Sequence, residues 1–147
     1  MPDRQHEAEL IREIVARTRT IAVVGLSPRP DRPSHGVAAF LQRAGFRIIP
    51  VNPRHAGERI LGETVYPDLA SLPDRESVDM IDIFRRSEEV APVVGEALEQ
   101  LPNLRTVWMQ LGVSNATAAA LARGKGVDVI ENRCPAIEFP RLMTPAR

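Results

Sequence analysis

Short apolar runs rich in β-branched residues recur along this chain, separated by stretches with helical spacing, and that alternation restricts the fold more than any other feature. Thr20-Ile-Ala-Val-Val24 closes on Gly25 and reads as a strand buried on both faces. Residues 46–51, with Ile48 and Ile49, are a second run whose Pro50 points to a sheet edge or a strand end. Residues 78–84, 106–109 and 127–130 repeat the pattern, and Val65-Tyr66 reads as a short extra strand. Between the runs, Val37, Ala38, Phe40 and Leu41 share a helical face behind Ser34, the expected cap, ending near Gly45. Val90, Val93, Val94, Ala97 and Leu98 do the same behind Ser87, as far as Gln100, and Asn115 caps a third helix reaching about Lys125. Leu69 to Leu72 reads as a helical turn. Ala8, Leu10, Ile11, Ile14 and Val15 predict an N-terminal helix over residues 3–18, packed on the rest.

Parallel strands need long connections, and helices supply them, so the expected fold is doubly wound α/β: Rossmann-like, with a mostly parallel sheet of about five strands and flanking helices. At 147 residues the chain is expected to form one domain over 1–147. Nineteen basic residues balance nineteen acidic ones, which offers no field for a nucleic-acid backbone. Asp3, Glu7 and Glu9 stand where a signal peptide needs a basic start and an apolar core, and no run approaches the roughly 18 residues of a membrane helix, so a cytoplasmic protein is expected. His6, His35, His55 and the lone Cys134 have no metal-ligand spacing.

In such sheets ligands bind outside the carboxyl ends of the strands, where strand order reverses. The loop from Gly25 to Gly36 runs from a strand into a helix start, and Ser27, Arg32, Ser34 and Gly36 offer it hydroxyl, guanidinium and backbone donors suited to a diphosphate. The glycines are too widely spaced for a dinucleotide fingerprint. After the second strand, Pro53-Arg54-His55 stands where an NAD site offers an acidic ribose ligand; a phosphorylated ribose is favoured, as in NADP or coenzyme A. Phe84 suits an adenine ring or a pantetheine chain, Arg85 or Arg86 a phosphate, and Gln110-Leu-Gly112 a close backbone approach. No residue set suggests catalysis. Asp79 and Asp82, inside a strand, are expected to make structural hydrogen bonds or cap contacts. Cys134 reads as a small buried hydrophobe or, beside Arg133, as a thiol able to exchange with a ligand disulfide.

Together, Val24-Gly-Leu-Ser27, Arg32-Pro-Ser-His-Gly-Val37, Ile49-Pro-Val-Asn-Pro53, Gly62 with Val65-Tyr-Pro67, Asp82-Ile-Phe-Arg-Arg-Ser87, Trp108-Met-Gln-Leu-Gly112 and Glu131-Asn-Arg-Cys-Pro135 resemble the stand-alone CoA-binding-domain proteins. These are similar to the N-terminal CoA-binding domain of the succinyl-CoA synthetase α subunit. The resemblance covers nearly all of the chain beyond about Thr18. It implies coenzyme A across the carboxyl edge of the sheet, with Gly25, Ser27, Arg32, Ser34, His35 and Gly36 at the diphosphate. It also implies Pro53, Arg54 and His55 at the nucleotide end, and Phe84, Arg85, Gln110 and Gly112 bordering the crevice. The sequence ends at Arg147, without the synthetase domain that carries a phosphorylated histidine, so a small-molecule binding module without ligase activity is expected. An NADP-dependent oxidoreductase and a regulatory or scaffold subunit with a vestigial pocket are the alternatives.

Overall fold

The computed structural model describes residues 4–142. In chain order the elements are α1 (Arg4–Arg17), β1 (Thr20–Val24), α2 (Pro33–Arg43), β2 (Arg47–Val51), β3 (Arg59–Ile60), β4 (Glu63–Thr64), β5 (Met80–Ile83), α3 (Val90–Gln100), β6 (Thr106–Met109), α4 (Ala116–Gly124), β7 (Asp128–Ile130) and α5 (Pro135–Leu142). The expected helix start at Asp3 lies outside the described residues.

Five strands form one parallel sheet in the order β2-β1-β5-β6-β7. The chain steps from β1 to β2 on one side and then crosses to β5 on the other, so the order reverses between β1 and β5. The expected doubly wound α/β fold is the one observed. Alternate residues of each strand feed two cores. Ala22, Val24, Ile81 and Ile83 pack with Val90, Val94 and Ala97 of α3 and Ala118 and Ala122 of α4. Ile21, Val23 and Met80 pack with Ile14 of α1, Leu41 of α2 and Phe139 of α5. Burial on both faces is why these strands lack a polar alternation.

Pro50 lies in β2, the edge strand, as its missing N–H requires. That edge is covered by residues 65–66: the Tyr66 N–H donates to Pro50 O at 3.0 Å and the Asn52 N–H to Tyr66 O at 2.9 Å. The pairing at Val65-Tyr66 is a single bridge from Tyr66 to Val51, and the regular strands beside it are β3 and β4, a hairpin the sequence reading did not identify. Its turn, Leu61-Gly62, has φ of 53° and 81°, the two positive values of a tight hairpin turn. Leucine rarely adopts such a φ, so the usual Asn-Gly signal was absent.

Helix α5 was also missed. Pro135 starts it in the position where proline's missing N–H costs nothing, and Phe139 anchors it, edge-on to Trp108 at 5.4 Å and tilted to Phe46 at 5.5 Å. Trp108 also donates its Nε1–H to Arg133 O at 2.8 Å, fixing the approach to the helix.

Candidate functional site

Five loops leave the carboxyl edge of the sheet, and their local bonding decides which side chains face outward together. Gly25, with φ +91°, turns the chain out of β1 while its N–H donates to Val51 O at 2.8 Å. Asn52 holds the first two loops together: its Nδ2 donates to Leu26 O at 3.0 Å and its Oδ1 accepts the Arg54 N–H at 3.0 Å.

Ser34 does not cap α2. Pro33 is already the first helical residue, and the cap position falls to Arg32, whose side chain makes no capping bond. The buried Ser34 hydroxyl instead accepts the Ser27 N–H at 3.0 Å, and the Ser27 hydroxyl accepts the Arg29 N–H at 3.1 Å. With Pro33 lacking an N–H and the His35 and Gly36 amides bonded to Arg32 O, the Ser34 amide of the first turn has no partner among the described residues.

Ser87 likewise caps no α-helix: residues Ser87–Glu89 form a 3-10 turn, and α3 begins at Val90. Its hydroxyl accepts the Ser114 N–H at 3.1 Å, and its carbonyl accepts Asn115 Nδ2 at 2.9 Å. Asn115 is the cap it was expected to be, taking the Ala118 N–H at 2.9 Å. Asn132, at φ +56°, accepts the Gly112 N–H at 2.7 Å, so the loops after β5, β6 and β7 brace one another.

These loops enclose a cleft of about 970 Å3, within the range of small-molecule sites. Gly25, Ser27, Arg32, Ser34 and Gly36 line it from the first loop, and Arg54 and His55 from the second. Phe84, Arg85, Gln110 and Gly112 complete the expected set on its wall. Pro53 lines an adjoining recess with Asn52, Arg54 and Glu89, and His35 lines neither. Arg29, Asn52, Leu111, Val113 and Ala136 join the wall without having been singled out as site residues, and Cys134 joins it too. Apart from the position of each loop, nothing in the local sequence marks them.

Charge is distributed unevenly. The chain is neutral overall, yet Arg29, Arg32, Arg54, Arg85, Arg86 and His55 line the cleft and no Asp or Glu does. Arg29 pairs with Asp31 at 3.3 Å on the exposed rim, and His55 Nδ1 lies 3.1 Å from Glu58. Arg85 and Arg86 both reach Glu89, at 3.2 Å and 3.5 Å, and the Arg85 hydrogen bond leads in holding that carboxyl below its ordinary pKa. Arg32 and Arg54 make no side-chain hydrogen bond or ion pair among the described residues. They are the uncommitted cations of the site.

Two buried polar groups stand out. Gln110 Oε1 is fully buried without a partner, and Gln110 lies on the cleft wall. Asp82 corrects the expectation of a structural hydrogen bond: it is entirely buried between Val23 and Trp108, neither oxygen has a partner, and burial pushes its carboxyl well above the ordinary range. Asp79 behaves as expected, accepting the Arg19 and Thr20 N–H groups at 3.1 Å. Cys134 is the buried hydrophobe of the plainer reading, 6% exposed, although it also reaches the cleft wall. Among the described residues no cluster of three His, Cys, Asp or Glu side chains could hold a metal ion, and no helix is long and apolar enough to cross a membrane.

A Rossmann-like sheet with a cationic cleft at its carboxyl edge places the protein among ligand-binding α/β modules. Residues 19–140 match the CoA binding domain family, and the chain belongs to that family. An uncharacterized protein of Bacillus subtilis (strain 168), YneT, is 40% identical over 124 residues, 84% of this chain and 87% of that one. A hypothetical protein from Pyrococcus horikoshii OT3 superposes with a TM-score of 0.85 at 33% identity, covering 93% of this chain and 92% of that one. A Thermus thermophilus protein gives a TM-score of 0.84 at 30% identity, covering 92% and 98%.

Proposed function

We propose that this protein binds coenzyme A, free or as a thioester, across the carboxyl edge of the sheet and does no chemistry of its own. The observation that carries this reading is the cleft wall: cationic side chains, no carboxylate, and two arginines without partners. Such a wall suits a ligand with several phosphates, and family membership supports coenzyme A as that ligand.

The residues fit the group. The free Ser34 amide and Arg32 suit the diphosphate at the start of α2. Arg54, beyond β2, suits the 3′-phosphate. Phe84, half-buried at the switch point, offers a face to the adenine or the pantetheine arm, and Gln110 Oε1 is an acceptor in want of an N–H, which the pantetheine amides possess. The site binds and orients; a wall with no carboxylate leaves as candidate acids or bases only His55, which already faces Glu58, and the buried Cys134 thiol.

A melting series with coenzyme A, NADP, NAD and ATP tests the reading, because a ligand that binds only the native state at a hundredfold over its Kd adds about 2.7 kcal/mol. Coenzyme A is expected to raise Tm most. An equal or larger shift with NADP or NAD overturns the assignment.

A further inference from the structure

The cleft has two chemically different ends. Neighbouring strands lie about 4.8 Å apart, so in the order β2-β1-β5-β6-β7 the loops after β2 and β7 stand roughly 19 Å from each other. Every arginine on the cleft wall comes from the loops after β2, β1 and β5. The loops after β6 and β7 and the first turn of α5 contribute Leu111, Gly112, Val113, Cys134 and Ala136, with Gln110 at the boundary and no charged group. Arg133 and Glu131, the charged residues of the last loop, are occupied elsewhere: Arg133 pairs with Glu7 at 3.0 Å and Glu131 accepts the Asn115 N–H at 3.1 Å. Leu111, 53% exposed, is the most exposed large apolar side chain among the described residues, and it directly follows Gln110, whose buried amide oxygen has no partner.

From this we infer that the β6–β7 end of the cleft receives the apolar acyl chain of an acyl-CoA, so that apolar acyl thioesters, rather than free coenzyme A, are the preferred ligand class. The inference rests on the coenzyme A reading. With the phosphates among the arginines, the pantetheine arm runs across β5 and β6, where Gln110 Oε1 accepts an amide N–H. The thioester then emerges against Leu111, Val113 and Ala136. A free thiol leaves Leu111 in water; an acyl chain covers it. A carboxylate-tipped chain has to desolvate its charge there with no cation to meet it.

Titration calorimetry with CoA, acetyl-CoA, butyryl-CoA, hexanoyl-CoA and succinyl-CoA tests this. Affinity is expected to rise along the alkyl series by about two- to fourfold per buried methylene. Succinyl-CoA, of the same chain length as butyryl-CoA, is expected to bind at least about fivefold more weakly than it. In Leu111→Ser, whose side chain is too exposed for the change to unfold the protein, the hexanoyl-to-CoA affinity ratio is expected to fall. CoA binding with a flat alkyl series, or tightest binding by succinyl-CoA, overturns the inference and leaves the coenzyme A reading standing. No binding by any member of the series removes that reading itself.

Discussion

Gly25 meets Phe84 where the strand order reverses: a Cβ on residue 25 would lie 2.4 Å from the Phe84 carbonyl oxygen. The loops after β1 and β5 diverge from this contact, and the floor of the cleft is the space between them. Backbone rather than side chain fills that point, so no rotamer change relieves an added atom.

Gly25→Ala is therefore expected to destabilise the fold by about 2–4 kcal/mol, from positive φ and the collision together. Urea unfolding measures it. A loss below about 0.5 kcal/mol means the turn relaxes and the close approach is dispensable.

Gly36 is the opposite case. It lines the cleft in the first turns of α2, its φ is ordinary, and a Cβ there meets nothing within 4 Å. Gly36→Val is expected to leave Tm nearly unchanged while weakening coenzyme A binding by about tenfold or more, through obstruction. A collapse of Tm with binding retained shows a packing role instead.

Arg32→Ala and Arg54→Ala each remove an exposed, unpaired guanidinium, so folding is expected to be untouched and coenzyme A affinity to drop by about tenfold or more. Arg54→Ala is further expected to erase the preference for CoA over dephospho-CoA, which differ only in the 3′-phosphate. That preference weakens with salt, as a contact screened over about 10 Å at 0.1 M must. Identical affinities of wild type for both ligands would falsify the placement of Arg54 at the nucleotide end.

Asp82 sets a pH dependence opposite to that of a paired carboxylate. Burial, with no partner, raises its folded pKa above the unfolded value of about 3.9. Between those two values the folded state holds the proton that the unfolded state has released, so this group's contribution to stability falls as pH rises through that window. Asp82→Asn is expected to be more stable than wild type at pH 7, with the difference closing as pH drops towards 4. Denaturant midpoints at several pH values check this, and a pH-independent difference excludes titration of Asp82 as the cause.

The sequence by itself determined the five sheet strands, four of the five helices and the doubly wound class, because both signals are written in neighbouring residues: Thr20–Val24 is an unbroken, mostly β-branched run, while Val90, Val94 and Ala97 wind. It also located the loops that line the cleft, since they follow from the strands. Tertiary structure alone decided what the polar groups do there. Ser34 and Ser87 look like caps in sequence but answer amides of Ser27 and Ser114, seven and 27 residues away. Asp82 lost its expected partner to the apolar layer around Trp108, and Leu111 and Cys134 reached the cleft wall because β6 and β7 lie side by side. A hydroxyl or carboxylate bonds to whatever the folded chain brings within about 3 Å, and no local pattern records that distance.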